Sequence, residues 1–117
     1  MPDHALVLTM DESPAGSVVL RLAGTLDHLT ADRLRRAVEE AIPRAREPLV
    51  LEMSRLVFCD SVGISEIVFA HREALAAGTS LHLVGVGREL THLFELTGVD
   101  QVLTLPQGAD RVRPVDG

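Results

Sequence analysis

The residues Cys59-Asp60-Ser61-Val62-Gly63 are the part of the chain whose types and spacing could support chemistry. A serine between a strand and a helix is typical of the nucleophile turn of α/β-hydrolases, which has the pattern Gly-x-Ser-x-Gly. Here the glycine before the serine is missing, and none of the five histidines is placed as an obvious base. Two other roles stay open for Ser61, a helix cap and a site that another protein modifies.

Two further patterns give weaker chemical signals. His71, His82 and His92 fall on three different predicted elements, and no His-x-x-x-His pair occurs, so no metal site is predicted. The run Gly85-Val86-Gly87-Arg88-Glu89-Leu90 begins like a dinucleotide fingerprint but has leucine where the third glycine belongs. We therefore expect these glycines to form a tight strand-to-helix turn, with no nucleotide or other cofactor.

Composition and charge limit the class of protein. The chain has 117 residues, of which 46% are hydrophobic, enough for one compact domain with a core. Its net charge of −6 and its lack of Trp and Tyr argue against nucleic-acid binding. No apolar run reaches the roughly 20 residues that cross a bilayer, so no membrane insertion is predicted. A single cysteine and a start without a signal peptide predict a cytoplasmic protein.

The order of strand and helix patterns predicts the fold. Alternating apolar residues over 5–10 and 17–23, separated by turn residues, predict an antiparallel hairpin. Helical spacing predicts a helix over 30–42 with Thr30 as N-cap, and a second helix over 62–77. Its expected inner face consists of Ile64, Ile67, Val68 and Leu75.

Short apolar runs supply the other strands. We expect strands at 48–53 and 81–86, a short helix carrying Leu90, Leu93 and Phe94 that stops near Gly98, and a possible closing strand at 102–105. This alternation predicts a single α/β domain over 5–105 with a mixed, mainly parallel sheet of four to five strands, an N-terminal hairpin and three to four helices. Residues 106–117 are expected to form a short C-terminal tail.

Three separated segments resemble the STAS domain of bacterial anti-sigma factor antagonists. The first is Gly24-Thr25-Leu26-Asp27-His28-Leu29-Thr30-Ala31, and the second is the strand Leu49–Met53 followed by Val57–Ile64 with its Asp-Ser-Val-Gly sequence. The third runs from Leu83 through Arg88 to Thr97-Gly98. Together they cover about residues 5–105, and their spacing is similar to that of the family.

The resemblance implies a regulatory protein rather than an enzyme. Its unphosphorylated form would bind an anti-sigma factor that has an ATPase-type serine kinase fold, and would thereby release the sigma factor. The kinase would inactivate it by phosphorylating Ser61, and a Ser/Thr phosphatase would reverse this. The residues implied in partner binding are Asp27, Asp60, Ser61, Val62, Gly63 and Ile64.

Two departures from the family pattern are visible. Val62 stands where many members have a second Ser or Thr, so a backup acceptor is absent, and Ser65 is a poor substitute. The residues after Leu105 have few apolar positions, which predicts a short or missing last helix. The same fold also allows another function, in which a STAS subunit serves a lipid-transport ATPase complex or a signalling assembly without phosphorylation.

Overall fold

The computed structural model describes residues 5–97 of the 117-residue chain. The centre of the fold is a four-stranded sheet, in which the strands lie side by side in the same order as they follow along the chain. The first two strands pair antiparallel and the other two neighbouring pairs are parallel, as predicted for a mixed α/β sheet. The elements are, in order, β1 (Leu6–Glu12), β2 (Val18–Leu26), α1 (Ala31–Ala41), a short 3-10 turn (Ile42–Arg44), β3 (Leu49–Cys59), α2 (Ser61–Ala76), β4 (Leu81–Val84) and α3 (Arg88–Thr97).

The predicted hairpin is confirmed and its strands are longer than expected. β1 and β2 pair from Leu6 opposite Gly24 to Glu12 opposite Val18. The turn between them closes where Ser13 N donates to Ser17 O at 2.9 Å and Gly16 N donates to Ser13 O at 3.0 Å. Gly16 has φ 99°, a left-handed conformation that favours glycine, so this turn fixes the register of the first two strands.

β3 is the main difference from the predicted strands. It extends from Leu49 to Cys59 and not only to Met53, because parallel pairing with β2 continues through two register shifts. β4 pairs with β3 only from Leu49 to Glu52. The last part of β3 therefore projects beyond β4 at the carboxyl end of the sheet and carries the chain directly into α2.

The helices bury one face each against the sheet. Leu34, Val38 and Ala41 of α1 are fully buried, as is Phe94 of α3. In α2 the prediction for Leu75 was wrong, because that side chain is 54% exposed while Ala70 and Ala74 are buried. Because these side chains are small, the helix lies close to the sheet. The face of α2 that packs on the sheet therefore contains Ala70 and Ala74 and leaves Leu75 outside it.

Several predictions fall outside the described residues. The closing strand at 102–105, the helix stop near Gly98 and the tail at 106–117 all lie beyond residue 97. Among the helices of residues 5–97, none has both the length and the apolar character to cross a membrane.

The burial pattern of α2 generates a stability prediction. Ile67 has 0% exposure, so Ile67→Ala should lower the free energy of unfolding by about 2–5 kcal/mol through lost burial and a cavity. Leu75→Ala removes a similar volume from an exposed position and should change it by less than about 0.5 kcal/mol. Urea denaturation followed by circular dichroism measures both variants. An equal loss of unfolding free energy in the two variants would show that the buried face of α2 is assigned wrongly.

Candidate functional site

The site lies at the carboxyl edge of the sheet, where the loops that follow β2 and β3 meet. Asp60, which joins β3 to α2, donates its backbone N–H to the carbonyl of Leu26 at 3.2 Å. The loop of residues 27–30 therefore lies beside the first turn of α2. Loops at this edge of parallel sheets are where α/β proteins commonly place their sites.

Asp60 is the N-cap of α2. Its backbone is extended, and its Oδ1 accepts a hydrogen bond from the N–H of Gly63 at 2.9 Å. The carboxylate thus satisfies one of the free N–H groups at the helix start. Its negative charge also interacts favourably with the positive end of the helix dipole. The sequence left a cap role open for Ser61, and in the structure the aspartate before it is the cap.

Ser61 is the first residue of α2 and is exposed, as is Val62 with 39% of its surface accessible. Since Asp60 makes the cap, the hydroxyl of Ser61 is not needed for that bond. The hydroxyl of Ser65 donates to the carbonyl of Ser61 at 3.1 Å, so the Ser65 side chain is bonded to the backbone of its own helix. Ser61 is thus the serine that α2 presents at its exposed N-terminal end.

Asp27 is buried, with only 3% of its surface exposed. Its Oδ1 accepts hydrogen bonds from Leu29 N at 2.9 Å and Thr30 N at 3.2 Å, so the carboxylate organises the loop before α1. Thr30 is the N-cap residue of α1, as predicted, but its side chain makes no capping hydrogen bond. Its hydroxyl instead donates to the carbonyl of Thr25 at 2.9 Å and accepts from Asp27 N at 2.9 Å.

His28 is a neighbour of the site that the sequence interpretation missed. Its Nδ1 lies 3.8 Å from Oδ2 of Asp60, within ion-pair distance when the imidazole is protonated. The only sequence signal was its place directly after Asp27 in the same loop.

Gly63 and Ile64 face the interior. A Cβ on Gly63 would lie 2.7 Å from the Leu26 carbonyl oxygen and 2.8 Å from the Cys59 sulfur, so no larger side chain fits without movement. Ile64 is 7% exposed. In the structure the absence of a side chain at Gly63 lets α2 approach the end of β2.

Cys59 is half-buried at the end of β3. Burial raises the pKa of its thiol to about 12, and the neighbouring Asp60 carboxylate acts in the same direction. The thiol also donates weakly to the carbonyl of Asp60 at 3.6 Å. Cys59 is therefore a protonated packing residue at neutral pH and a poor nucleophile.

An open groove of about 380 Å³ lies next to these residues. It is lined mainly by apolar side chains of β3 and by the first turns of α3, namely Met53, Leu56, Val57, Phe58, Cys59, Gly87, Arg88, Glu89, Leu90 and Leu93. Within residues 5–97 no cluster of three or more His, Cys, Asp or Glu side chains is arranged to hold a metal ion.

Comparison with known proteins gives consistent matches. A family model described as "Mlab, STAS domain" matches residues 9–106. An anti-sigma F factor antagonist of Paenibacillus polymyxa is 30% identical over 95 residues, which cover 80% of this chain and 81% of that protein. An anti-sigma-F factor antagonist of Mycobacterium tuberculosis is 29% identical over 104 residues, covering 89% and 83%. The crystal structure of an anti-sigma factor antagonist from Mycobacterium paratuberculosis has a TM-score of 0.78 at 25% identity, covering 95% of this chain and 92% of that one.

The close contact at Gly63 predicts a strong effect of a single methyl group. Gly63→Ala should lower the free energy of unfolding by about 1–3 kcal/mol, because the backbone oxygen of Leu26 cannot move aside without loss of sheet pairing. Gly87→Ala is the matched control, since nothing lies within 4 Å of a Cβ there. It should change stability by less than about 1 kcal/mol in either direction. Equal effects of the two substitutions in thermal unfolding would contradict the packing role of Gly63.

The raised pKa of Cys59 predicts slow reaction with thiol reagents. At pH 8 its alkylation by iodoacetamide should be slower than that of a free thiol by on the order of a thousandfold, because so little thiolate is present. The folded pKa lies above the unfolded value of about 8.5, so stability is full below that pH and declines above it. Cys59→Ala should remove this part of the decline. Rapid alkylation of the native protein, compared with the same reaction in guanidinium, would contradict the assignment.

Proposed function

The chain belongs to the STAS domain family, and on that premise we propose that it is an anti-sigma factor antagonist switched by phosphorylation of Ser61. The unphosphorylated protein binds an anti-sigma factor of ATPase-type serine kinase fold and releases the sigma factor that it held. That kinase phosphorylates Ser61, and a Ser/Thr phosphatase restores the binding form. In this role the chain is not an enzyme but the substrate of two enzymes.

The observation that carries this proposal is the position of Ser61. It is the exposed first residue of α2, directly after the aspartate that caps the helix. A hydroxyl in that position is open to the active site of another protein. The similar proteins of Paenibacillus polymyxa and Mycobacterium tuberculosis are named as anti-sigma factor antagonists, which supports an anti-sigma factor as the partner.

The six predicted partner-binding residues divide into two groups in this proposal. Ser61 and Val62 are exposed and Asp60 is half-buried beside them, so these three provide contact surface. Asp27, Gly63 and Ile64 are buried, and they act by holding the loop and the helix start in place. Mutations in the second group would affect binding through stability.

Electrostatics favours an effect of the phosphate at the interface over an effect on the fold. A phosphate at the start of α2 gains about 0.3–1 kcal/mol from the helix dipole, partly offset by repulsion from Asp60. In a contact surface, a phosphate of about −1.5 to −2 charge placed against like charge or apolar groups costs several kcal/mol. A cost of about 3 kcal/mol weakens binding on the order of a hundredfold, which suffices for a switch.

Charge substitutions at Ser61 provide the test. The anti-sigma factor that co-purifies from native cells serves as titrant in calorimetry. Ser61→Ala should bind it with nearly unchanged affinity, and Ser61→Glu should bind at least about tenfold more weakly, because the carboxylate supplies part of the charge of a phosphate. Ser65→Glu, one turn further along α2, is the control for added charge on the same helix and should have a smaller effect.

Two results would contradict the proposal. Equal binding of Ser61→Glu and Ser61→Ala would show that charge at Ser61 does not govern the interaction. Recovery of a transporter ATPase in place of a kinase-fold anti-sigma factor would instead favour a structural subunit of a lipid-transport complex.

A further inference from the structure

His28 and Asp60 form a pair directly beside the proposed phosphorylation site. The two oxygens of the Asp60 carboxylate have different neighbours: Oδ1 accepts from Gly63 N at 2.9 Å, and Oδ2 lies 3.8 Å from His28 Nδ1. Ser61 follows Asp60 in the chain, and Cα atoms of successive residues are about 3.8 Å apart. The imidazole, the carboxylate and the hydroxyl-bearing residue therefore share one small area of the sheet edge.

The backbone that carries His28 is held in place, whereas its side chain is accessible. The buried Asp27 carboxylate accepts from Leu29 N at 2.9 Å, so the residues on both sides of His28 are joined. Asp60 N donates to the carbonyl of Leu26 at 3.2 Å, which ties this loop to the start of α2. The His28 side chain is 64% exposed. It can therefore turn to another rotamer without a change in the loop.

A phosphate on Ser61 places a second negative group beside the Asp60 carboxylate. The phosphate carries about −1.5 to −2 charge and three strong acceptor oxygens. Because like charges at short distance repel, a donor or a cation next to both groups stabilises the modified form. Imidazole supplies either one, since it donates one N–H hydrogen bond when neutral and carries a positive charge when protonated.

The arginines of α1, the helix that follows the same loop, already bind other groups. Arg33 donates to the carbonyl of Leu6. Arg35 binds Glu66 of α2 through two hydrogen bonds, and Arg36 pairs at 2.6 Å with the aspartate one turn before it in α1. Recruitment of one of these arginines by the phosphate would break an existing contact. His28 has only to turn its exposed ring beside the same carboxylate.

We propose that His28 receives the phosphate of Ser61, by donating from its imidazole to a phosphate oxygen while it stays beside the Asp60 carboxylate. This inference rests on the proposed function and deepens it, because it states how the modified site is stabilised. In the unmodified protein His28 accompanies the carboxylate alone. In the modified protein it bridges two anions and keeps the phosphate at the surface that the partner contacts.

Phosphorus NMR of the full chain tests this proposal. Phosphoserine is incorporated at position 61 by genetic-code expansion, so that the sample depends on no kinase. A nearby donor or cation favours the phosphate dianion, whose second pKa is ordinarily about 6. The pKa of the phosphate should therefore be higher in His28→Ala than in the unsubstituted phosphoprotein, by about 0.3 or more. His28→Arg retains a cation and should keep most of the lowering.

His82→Ala is the matched control. His82 is an exposed histidine of β4 that lies opposite Val50, whereas the site follows Cys59 at the far end of β3. Its removal should leave the pKa of the phosphate unchanged. Proton NMR adds an independent readout: at equal pH the ring resonances of His28 should differ between the phosphorylated and unphosphorylated proteins, and those of His82 should not.

Three results would overturn the role of His28. They are an unchanged phosphate pKa in His28→Ala, an equal change in His82→Ala, and His28 ring resonances that do not respond to the phosphate. All three leave the proposed function intact, because they involve neither the anti-sigma factor nor its kinase activity. If the co-purified anti-sigma factor and ATP add no phosphate to Ser61 of the unsubstituted chain, the proposed function fails and this inference fails with it.

Discussion

The close approach of the end of β2 to the start of α2 is the constraint on which the rest of the site depends. The Leu26 carbonyl accepts a hydrogen bond from Asp60 N at 3.2 Å, and the same oxygen lies 2.7 Å from where a Cβ on Gly63 would be. Glycine is required here for space and not for its backbone freedom. With this contact made, the Asp60 carboxylate reaches the N–H of Gly63, and Ser61 is held outward at a fixed place on the sheet edge.

The contacts that hold the site together do not involve Ser61, the proposed phosphorylation site. Buried Asp27 organises the loop before α1, and a second tie holds α2 to α1, where Arg35 binds Glu66 through two hydrogen bonds of 3.0 and 3.1 Å and stacks over Phe69. The side chain of Ser61 is not part of either contact. A phosphate on it therefore adds charge to a surface whose shape is maintained by other residues, which is the behaviour needed for a change of partner without a change of fold.

Periodicity in the sequence predicted the hairpin, the strand and helix order and the start of α2, because those segments follow simple alternation or helical spacing. It failed where local geometry overrides the pattern. Two register shifts against β2, the first between Glu52 and Arg55 and the second between Leu56 and Phe58, break the alternation of β3, so the strand was predicted too short. Ala70 and Ala74 make the close packing of α2 against the sheet. Because small residues give a weak apolar signal in the sequence, Leu75 was predicted on the buried face in their place. The sequence correctly predicted Thr30 as the N-cap residue of α1, but it does not show that the Thr30 hydroxyl bonds to the carbonyl of Thr25 instead of capping the helix.

The resemblance to the STAS family predicted Asp27, Asp60 and Ser61 as site residues, while the division of these residues into buried and exposed positions required the structure. The central claim is that Ser61 is the position at which a partner modifies this chain. Phosphosite mapping by mass spectrometry, after incubation with the co-purified anti-sigma factor and ATP, tests it most directly. We expect a single added phosphate on Ser61 and none on Ser61→Ala. A phosphate on another residue, or continued modification of Ser61→Ala, would contradict the account.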